Sequence, residues 1–275
     1  MAMRQERRAL LRQAVKEVTA RGISPRQGIW GTIGATRILL DVLEGGSQQR
    51  ASETARRALE IFDLSVKRNP PEAPLACARG CAFCCHSFVT ATAPEVFLLA
   101  RTIRTANKDL GPVLERVRAT IAATAGLDKV QRFATRQACS MLVANECSAY
   151  AGRPMSCRAF ASFSMQRCEQ AFETGSEDIP TPAIHAFLRR ACRQALWSGL
   201  AAKGLSCIGY ELNQALRIAL EHPDAEAQWL AGEDVFAGID ADEVTSTLNE
   251  PTVRLYLEVI AAAATGRSPP PNEWL

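Results

Sequence analysis

Aromatic residues make up only 6% of these 275 residues, and the formal net charge is only +3. Little is available for stacking on bases and no strongly basic surface is implied, so a nucleic-acid partner is not expected. No uninterrupted apolar run approaches the length of a membrane span, and 47% hydrophobic with 22% charged residues describes a soluble globular protein. The first residues collect Arg4, Arg7, Arg8, Arg12, Lys16, Arg21 and Arg26, but Leu10 and Leu11 are followed at once by Arg12, so the apolar stretch of a secretory signal is missing. A helix over residues 4 to 20 with one solvated face is expected there instead. Without export, ten cysteines imply reduced thiols in a cytoplasm.

Nucleotide and hydrolase signatures are also missing. Gly28, Gly31 and Gly34 recur every third residue but do not spell GxGxxG, and no Lys-Ser or Lys-Thr pair follows. Their expected role is a small, closely packed face at a helix entrance. Neither GxSxG nor HExxH occurs, so no hydrolytic activity is expected and no catalytic residue is assigned. Asp240 and Asp242 lack a DxDxDG pattern and read as solvated acids or caps.

Cysteine, by contrast, is dense. Cys77, Cys81, Cys84 and Cys85 occupy nine consecutive positions, and Cys139, Cys147, Cys157 and Cys168 follow at wider spacing. Soft thiolates suit zinc, copper(I) and iron-sulfur clusters, and gaps of two or three residues let one loop present several sulfurs to one centre. A disulfide framework fits poorly, because adjacent Cys84 and Cys85 could pair only through a strained ring. The two groups therefore read as halves of one metal site. Adjacent side chains usually point apart, so Cys84 and Cys85 seldom both ligate one ion, and one of them can face another metal. A helix over Cys77–Cys85 would put several sulfurs on one stripe; a turn would use Gly80 to bring Cys77 back towards Cys81. The sequence does not choose between them. Cys192 and Cys207 lie alone in ordinary helical patterns and read as packed core thiols.

Helical periodicity dominates the rest. After Gly45 and Gly46, Ser47 is a candidate cap for a helix with Ala51, Ala55, Ala58, Leu59, Phe62 and Val66 on one side. Pro70, Pro71 and Pro74 end it and deliver an extended segment into Cys77. Thr92-Ala93-Pro94-Glu95 is a capping box with proline in the first turn, so Glu95 is expected to cap rather than to ligate. Gly111-Pro112 opens another helix, and short strands with a turn near Asn145 and Glu146 should bring Cys147 towards Cys139. Further helices are expected from Thr181-Pro182 to about Lys203, from Ser206 onward to Pro223, over 224 to 231 and over 251 to 264. The expected fold class is mainly α, a helical bundle-like fold with Cys-rich loops and little or no sheet, built around a metal site. Residues 1–74 form an N-terminal helical extension, 75–170 the cysteine-cluster core and 171–275 a C-terminal helical region packing on it.

The order CxxxCxxCC, then C-x7-C-x2-Y-x2-RP-x2-CR-x-F, resembles the YkgJ-type cysteine-cluster family, also described as a zinc- or iron-chelating domain. The resemblance covers residues 77 to about 168 and implies Cys77, Cys81, Cys84, Cys85, Cys139, Cys147 and Cys157 as ligands, with Cys168 as an eighth. It implies a metal site sooner than a reaction. A related pattern occurs in flagellin lysine N-methylases, taken to depend on S-adenosylmethionine, so an iron-sulfur protein lysine methyltransferase is the alternative reading.

Four thiolates around zinc or an oxidised four-iron cluster leave about two excess negative charges. Arg79, Arg153 and Arg158 are the candidate cofactor-binding cations, with Arg167 nearby and Tyr150 as a neighbouring phenol. His86 adjoins the motif and could replace one sulfur. An iron-sulfur cluster is preferred over zinc, because closed zinc sites commonly use two compact Cys pairs and this chain offers more thiols than one zinc needs. The expected function is a cytoplasmic metal-binding protein in a structural, redox or metal-handling role. Its partners are a metal ion or cluster, with a protein partner admitted.

Overall fold

Pro70, Pro71 and Pro74 divide the chain just where two long helices give way to the cysteine loops. The computed structural model describes residues 28–175, 178–239 and 250–270, together with Ala9 and Leu248. The helix expected over residues 4 to 20, and the acids Asp240 and Asp242, lie outside the described residues.

Helix α1 (Ile29–Leu43) and α2 (Arg50–Arg68) precede the prolines. After the prolines come β1 (Thr90–Thr92), α3 (Ala93–Ala106), α4 (Gly111–Thr124) and α5 (Lys129–Ala134). The hairpin β2 (Leu142–Val143) and β3 (Glu146–Cys147) leads to α6 (Met155–Arg158) and α7 (Met165–Thr174). The chain then runs through α8 (Ala183–Ala202), β4 (Gly209–Glu211), α9 (Leu212–Glu221), α10 (Ala225–Leu230) and α11 (Pro251–Ala264). The protein is mainly helical, as its periodicity predicts.

The 20-residue α8 is the axis of the packing, touching α1, α2, α6 and α11. Its Ala195, Leu196 and Leu200 are buried with Leu39, Leu40 and Leu43 of α1, and each such leucine stabilises the fold by about 2 kcal/mol. On the other flank α3 packs on α2 and α9, and α9 on α4. One core cluster takes side chains from α1 through α11, including Met141 and Ala149 of the cysteine region. A second, smaller cluster joins Leu59 and Phe62 of α2, Leu98 of α3, Met155 of α6 and Leu188 of α8.

Three details differ from the expectations. Gly31 and Gly34 are exposed, and the small packed face of α1 is made by Thr32, Ala35 and Thr36 instead. Ser47 does not cap α2 directly; Gln49 is the cap residue, while Ser47 Oγ accepts from Gln49 N at 3.1 Å. The segment after Ser206 is not helical from its start. Gly209–Glu211 forms β4, antiparallel to Thr90–Thr92, and only then does α9 begin. Backbone pairing with a strand more than a hundred residues earlier overrides the helical pattern there.

Candidate metal centre

The first cysteine group folds as a turn, not as an α-helix. Gly80 adopts φ +86, a conformation that suits glycine, and Cys81 N donates to Ala78 O at 3.1 Å. A single 3-10 turn over Phe83–His86 then carries Cys84 and Cys85. The second group is a knuckle. Ala144 and Asn145 take φ of 50 and 60, as a tight hairpin turn requires, so the reversal falls one residue earlier than expected. Leu142 pairs with Cys147, and Leu142 N donates to Cys139 O at 2.9 Å, which turns Cys139 and Cys147 towards one another. Cys139 N donates to Cys85 O at 2.8 Å and stitches the two groups together.

Glu95 holds the third piece. Its Oε2 accepts from Thr92 N at 2.9 Å and Thr92 Oγ1 at 2.7 Å, completing the capping box of α3. Its Oε1 accepts from Met155 N at 2.8 Å, at the start of the short helix that bears Cys157. The same buried carboxylate thus caps one helix and pins another. Gly152 supports this approach: a Cβ there would lie 2.3 Å from Thr102 Oγ1 and 2.8 Å from Thr102 Cβ on α3. Ser140 Oγ donates to Asn213 Oδ1 at 2.7 Å, anchoring the Cys139 loop to α9.

Seven of the eight cysteines, all but Cys168, line one cavity of about 850 Å³. Cys77 and Cys84 are exposed, while Cys168 is buried beneath them on α7. The electrostatic neighbours sort the sulfurs into two sets. Burial raises the Cys77 and Cys81 thiols; beyond that, Cys77 responds to Cys84 and Cys168, and Cys81 to Cys77, Cys84 and Cys168. Burial likewise pushes Cys139 up to about 11 and Cys157 well above the ordinary thiol range. Cys139 then responds to Cys147, Cys157 to Cys139 and Cys147, and Cys85 to Cys139 and Cys157. Cys84 is the junction, since it also acts on Cys85 and Cys157. Its own thiol is lowered to about 7 by a hydrogen bond with Cys85, whose proton is correspondingly hard to remove. Among the described residues, no three His, Cys, Asp or Glu side chains stand tightly enough to grip an ion as they are arranged.

The cations divide as well. Arg153 lines the cavity, lies over the Tyr150 ring at 3.9 Å, and favours the thiolate forms of Cys77, Cys84 and Cys157. Its Nε is buried without a partner. Arg79 also lines the cavity but is largely exposed, and its fork binds Glu146 at 2.6 and 2.9 Å, bracing the first loop against the hairpin. Arg158 does not line the cavity; it donates to Asp63 Oδ2 at 2.7 Å and Ala151 O at 2.6 Å. Arg167 pairs with Asp178. His86 turns Nδ1 back onto Ala82 O and Phe83 O at 3.2 and 3.3 Å and packs on Phe172. Cys192 and Cys207 are buried away from the cavity, with Cys207 Sγ donating to Trp197 O at 3.4 Å.

Four cations went unnamed by sequence reasoning, among them Lys129 at the cavity wall. Arg132 is buried on α5, donates to Gln137 O, and favours the Cys139 thiolate. Arg189 and Arg193 on α8 line the cavity too, from outside the cysteine-bearing segment of the chain. A buried arginine and a pair one helical turn apart are readable signals, but their partners are set only by the fold.

The donor set fits a thiolate-bound metal: seven thiols around one opening, a backbone amide of Ser162 donating to Cys77 Sγ at 3.3 Å, and, among the described residues, an orphaned arginine nitrogen beside them. No curated protein and no solved structure matches the chain. A family model described as "CxxCxxCC: Putative zinc- or iron-chelating domain" matches residues 76–178. Its name spells two residues between the first cysteines, whereas this chain has three, Ala78, Arg79 and Gly80, accommodated by the turn at Gly80. Across 76–178, the segment that supplies all eight clustered cysteines, the chain is similar to this CxxCxxCC metal-chelating family.

Proposed function

We propose that the protein binds metal at two adjoining thiolate centres. Cys77, Cys81, Cys84 and Cys168 would hold one, and Cys85, Cys139, Cys147 and Cys157 the other. What supports this reading is the geometry: seven of the sulfurs line one cavity, Cys139 N donates to Cys85 O at 2.8 Å, and Leu142 pairs with Cys147 next to Cys139, which groups Cys85 with the hairpin cysteines and leaves the adjacent Cys84 to the first loop. Neighbouring residues that cannot both ligate one tetrahedral ion can each ligate a different one. Arg153 supplies positive charge to both sets and offsets part of the excess negative charge of the bound centres.

Iron-sulfur clusters are the preferred occupants. A closed zinc site draws four sulfurs to about 2.3 Å from one ion, whereas thiols spread around a cavity of about 850 Å³ suit a larger, polynuclear centre. Exposed Cys77 and Cys84 leave the centre reachable from solvent, which favours a redox or metal-handling role over a sealed structural one. The lysine-methylase alternative draws no support from the family match, which speaks only of metal chelation.

Elemental analysis and an absorption spectrum of anaerobically purified protein test the reading. Brown protein with a broad band near ~400 nm is expected. Colourless protein with stoichiometric zinc would replace iron in the assignment, and folded protein free of metal would overturn it.

A further inference from the structure

The cavity is not lined by cysteines alone. At about 850 Å³ it falls in the range of small-molecule sites, and Arg189 and Arg193 of α8 form part of its wall. One helical turn separates them, so they share a face of the helix. Both are half-buried, and among the described residues neither has an ion pair with an acid. Among the described residues the one acid lining the cavity, Glu146, is already committed to the fork of Arg79.

Two like charges held together away from bulk water oppose folding unless something offsets them. Burial and the charges of Arg193 and Arg190 shift the Arg189 guanidinium down. Arg193 also lies over the Trp197 ring at 4.9 Å, a cation–π contact that helps to hold its guanidinium in place. Planar guanidinium forks are matched to the paired oxygens of carboxylate and phosphate.

We infer that Arg189 and Arg193 form the recognition wall of a second site, which takes an oxyanion-bearing small molecule into the cavity beside the cysteines. The shared chemistry is a carboxylate or phosphate group held by two guanidiniums, with the body of the molecule in the remaining space. The site does not depend on which metal the cysteines hold.

Calorimetric titration of the full-length protein, as purified, with inorganic phosphate, pyrophosphate and citrate tests this. Saturable binding of at least one is expected, with the phosphate and citrate arms separating the two ligand types. Arg189→Gln and Arg193→Gln should each weaken it by about tenfold or more, the loss of one charge-assisted contact. Arg217→Gln on α9, whose side chain pairs with Glu221, should leave it unchanged. Arg189→Lys keeps the charge without the fork and guards against misfolding; it should bind more weakly than wild type while melting at the same temperature. Metal content, measured on the same samples, should match wild type in every variant. No saturable binding at millimolar anion, or equal binding by the glutamine variants, would overturn the site. Metal loss from those variants would do so too, by assigning the arginines to the cysteine centre. Wild-type metal content reports separately on the cysteine reading.

Discussion

Glu95 offers a sharp test of how the cysteine loops are held. Its two oxygens accept three hydrogen bonds, two from Thr92 and one from Met155 N, and the side chain is only 7% exposed. In Glu95→Gln the shape is kept, but one oxygen becomes an NH₂ donor facing either Met155 N–H or Thr92 N–H. Thr92 Oγ1 can rotate to accept, whereas a backbone N–H cannot, so one charge-assisted bond is lost and one buried donor is stranded. That costs about 2 kcal/mol. Glu95→Ala strands both backbone donors and leaves a cavity, for about 3–5 kcal/mol. At the sensitivity of a domain of this size, about 2–4 °C per kcal/mol, the glutamine variant should melt about 4–8 °C lower and the alanine variant lower still. Because Met155 begins the short helix bearing Cys157, metal retention should fall in the same order as stability. Thermal melts with parallel metal analysis would decide it. An alanine variant that melts with wild type would refute the account of Glu95 as a joint between α3 and α6.

Two further predictions address the thiols. Cys81→Ser and Cys147→Ser draw one ligand from each proposed set, so each should lower metal content, whereas Cys192→Ser should not; undiminished metal in both ligand variants would refute the assignment. Burial pushes Cys192 and Cys207 up to about 12 from an ordinary 9.0. The folded state thus keeps protons that the unfolded chain has already lost above pH 9, so the stability contributed by these neutral thiols is complete below pH 9 and declines towards pH 12. Urea denaturation from pH 8 to 11 should show this fall, and Cys192→Ala should make it shallower; an unchanged slope would refute that cause.

The parts of the site that were legible in the sequence are those whose chemistry is local. Four cysteines in nine positions announce metal chemistry without any fold, and the Thr92–Glu95 capping box specifies both a helix start and the role of one carboxylate oxygen. The hairpin between Cys139 and Cys147 was readable to within one residue. The other oxygen of Glu95 was not legible, because its partner lies 60 residues away and is a backbone N–H that any residue would supply. Arg79 illustrates the opposite error of proximity. It is two residues from Cys77, yet its fork is taken by Glu146, 67 residues on.

Helical periodicity hides function in a similar way. On α8, Arg189 and Arg193 look like an ordinary solvated face, since charged residues on the polar side of an amphipathic helix usually meet water. Packing decides otherwise. α8 is held against α1, α2 and α11 by Ala195, Leu196 and Leu200, and against α6 through Leu188, Met155 and Ala159. Arg189 and Arg193, one and five residues beyond Leu188, thereby line the same cavity as Cys157 of α6. The apolar side of α8, which binds nothing itself, thereby determines what its charged side can reach.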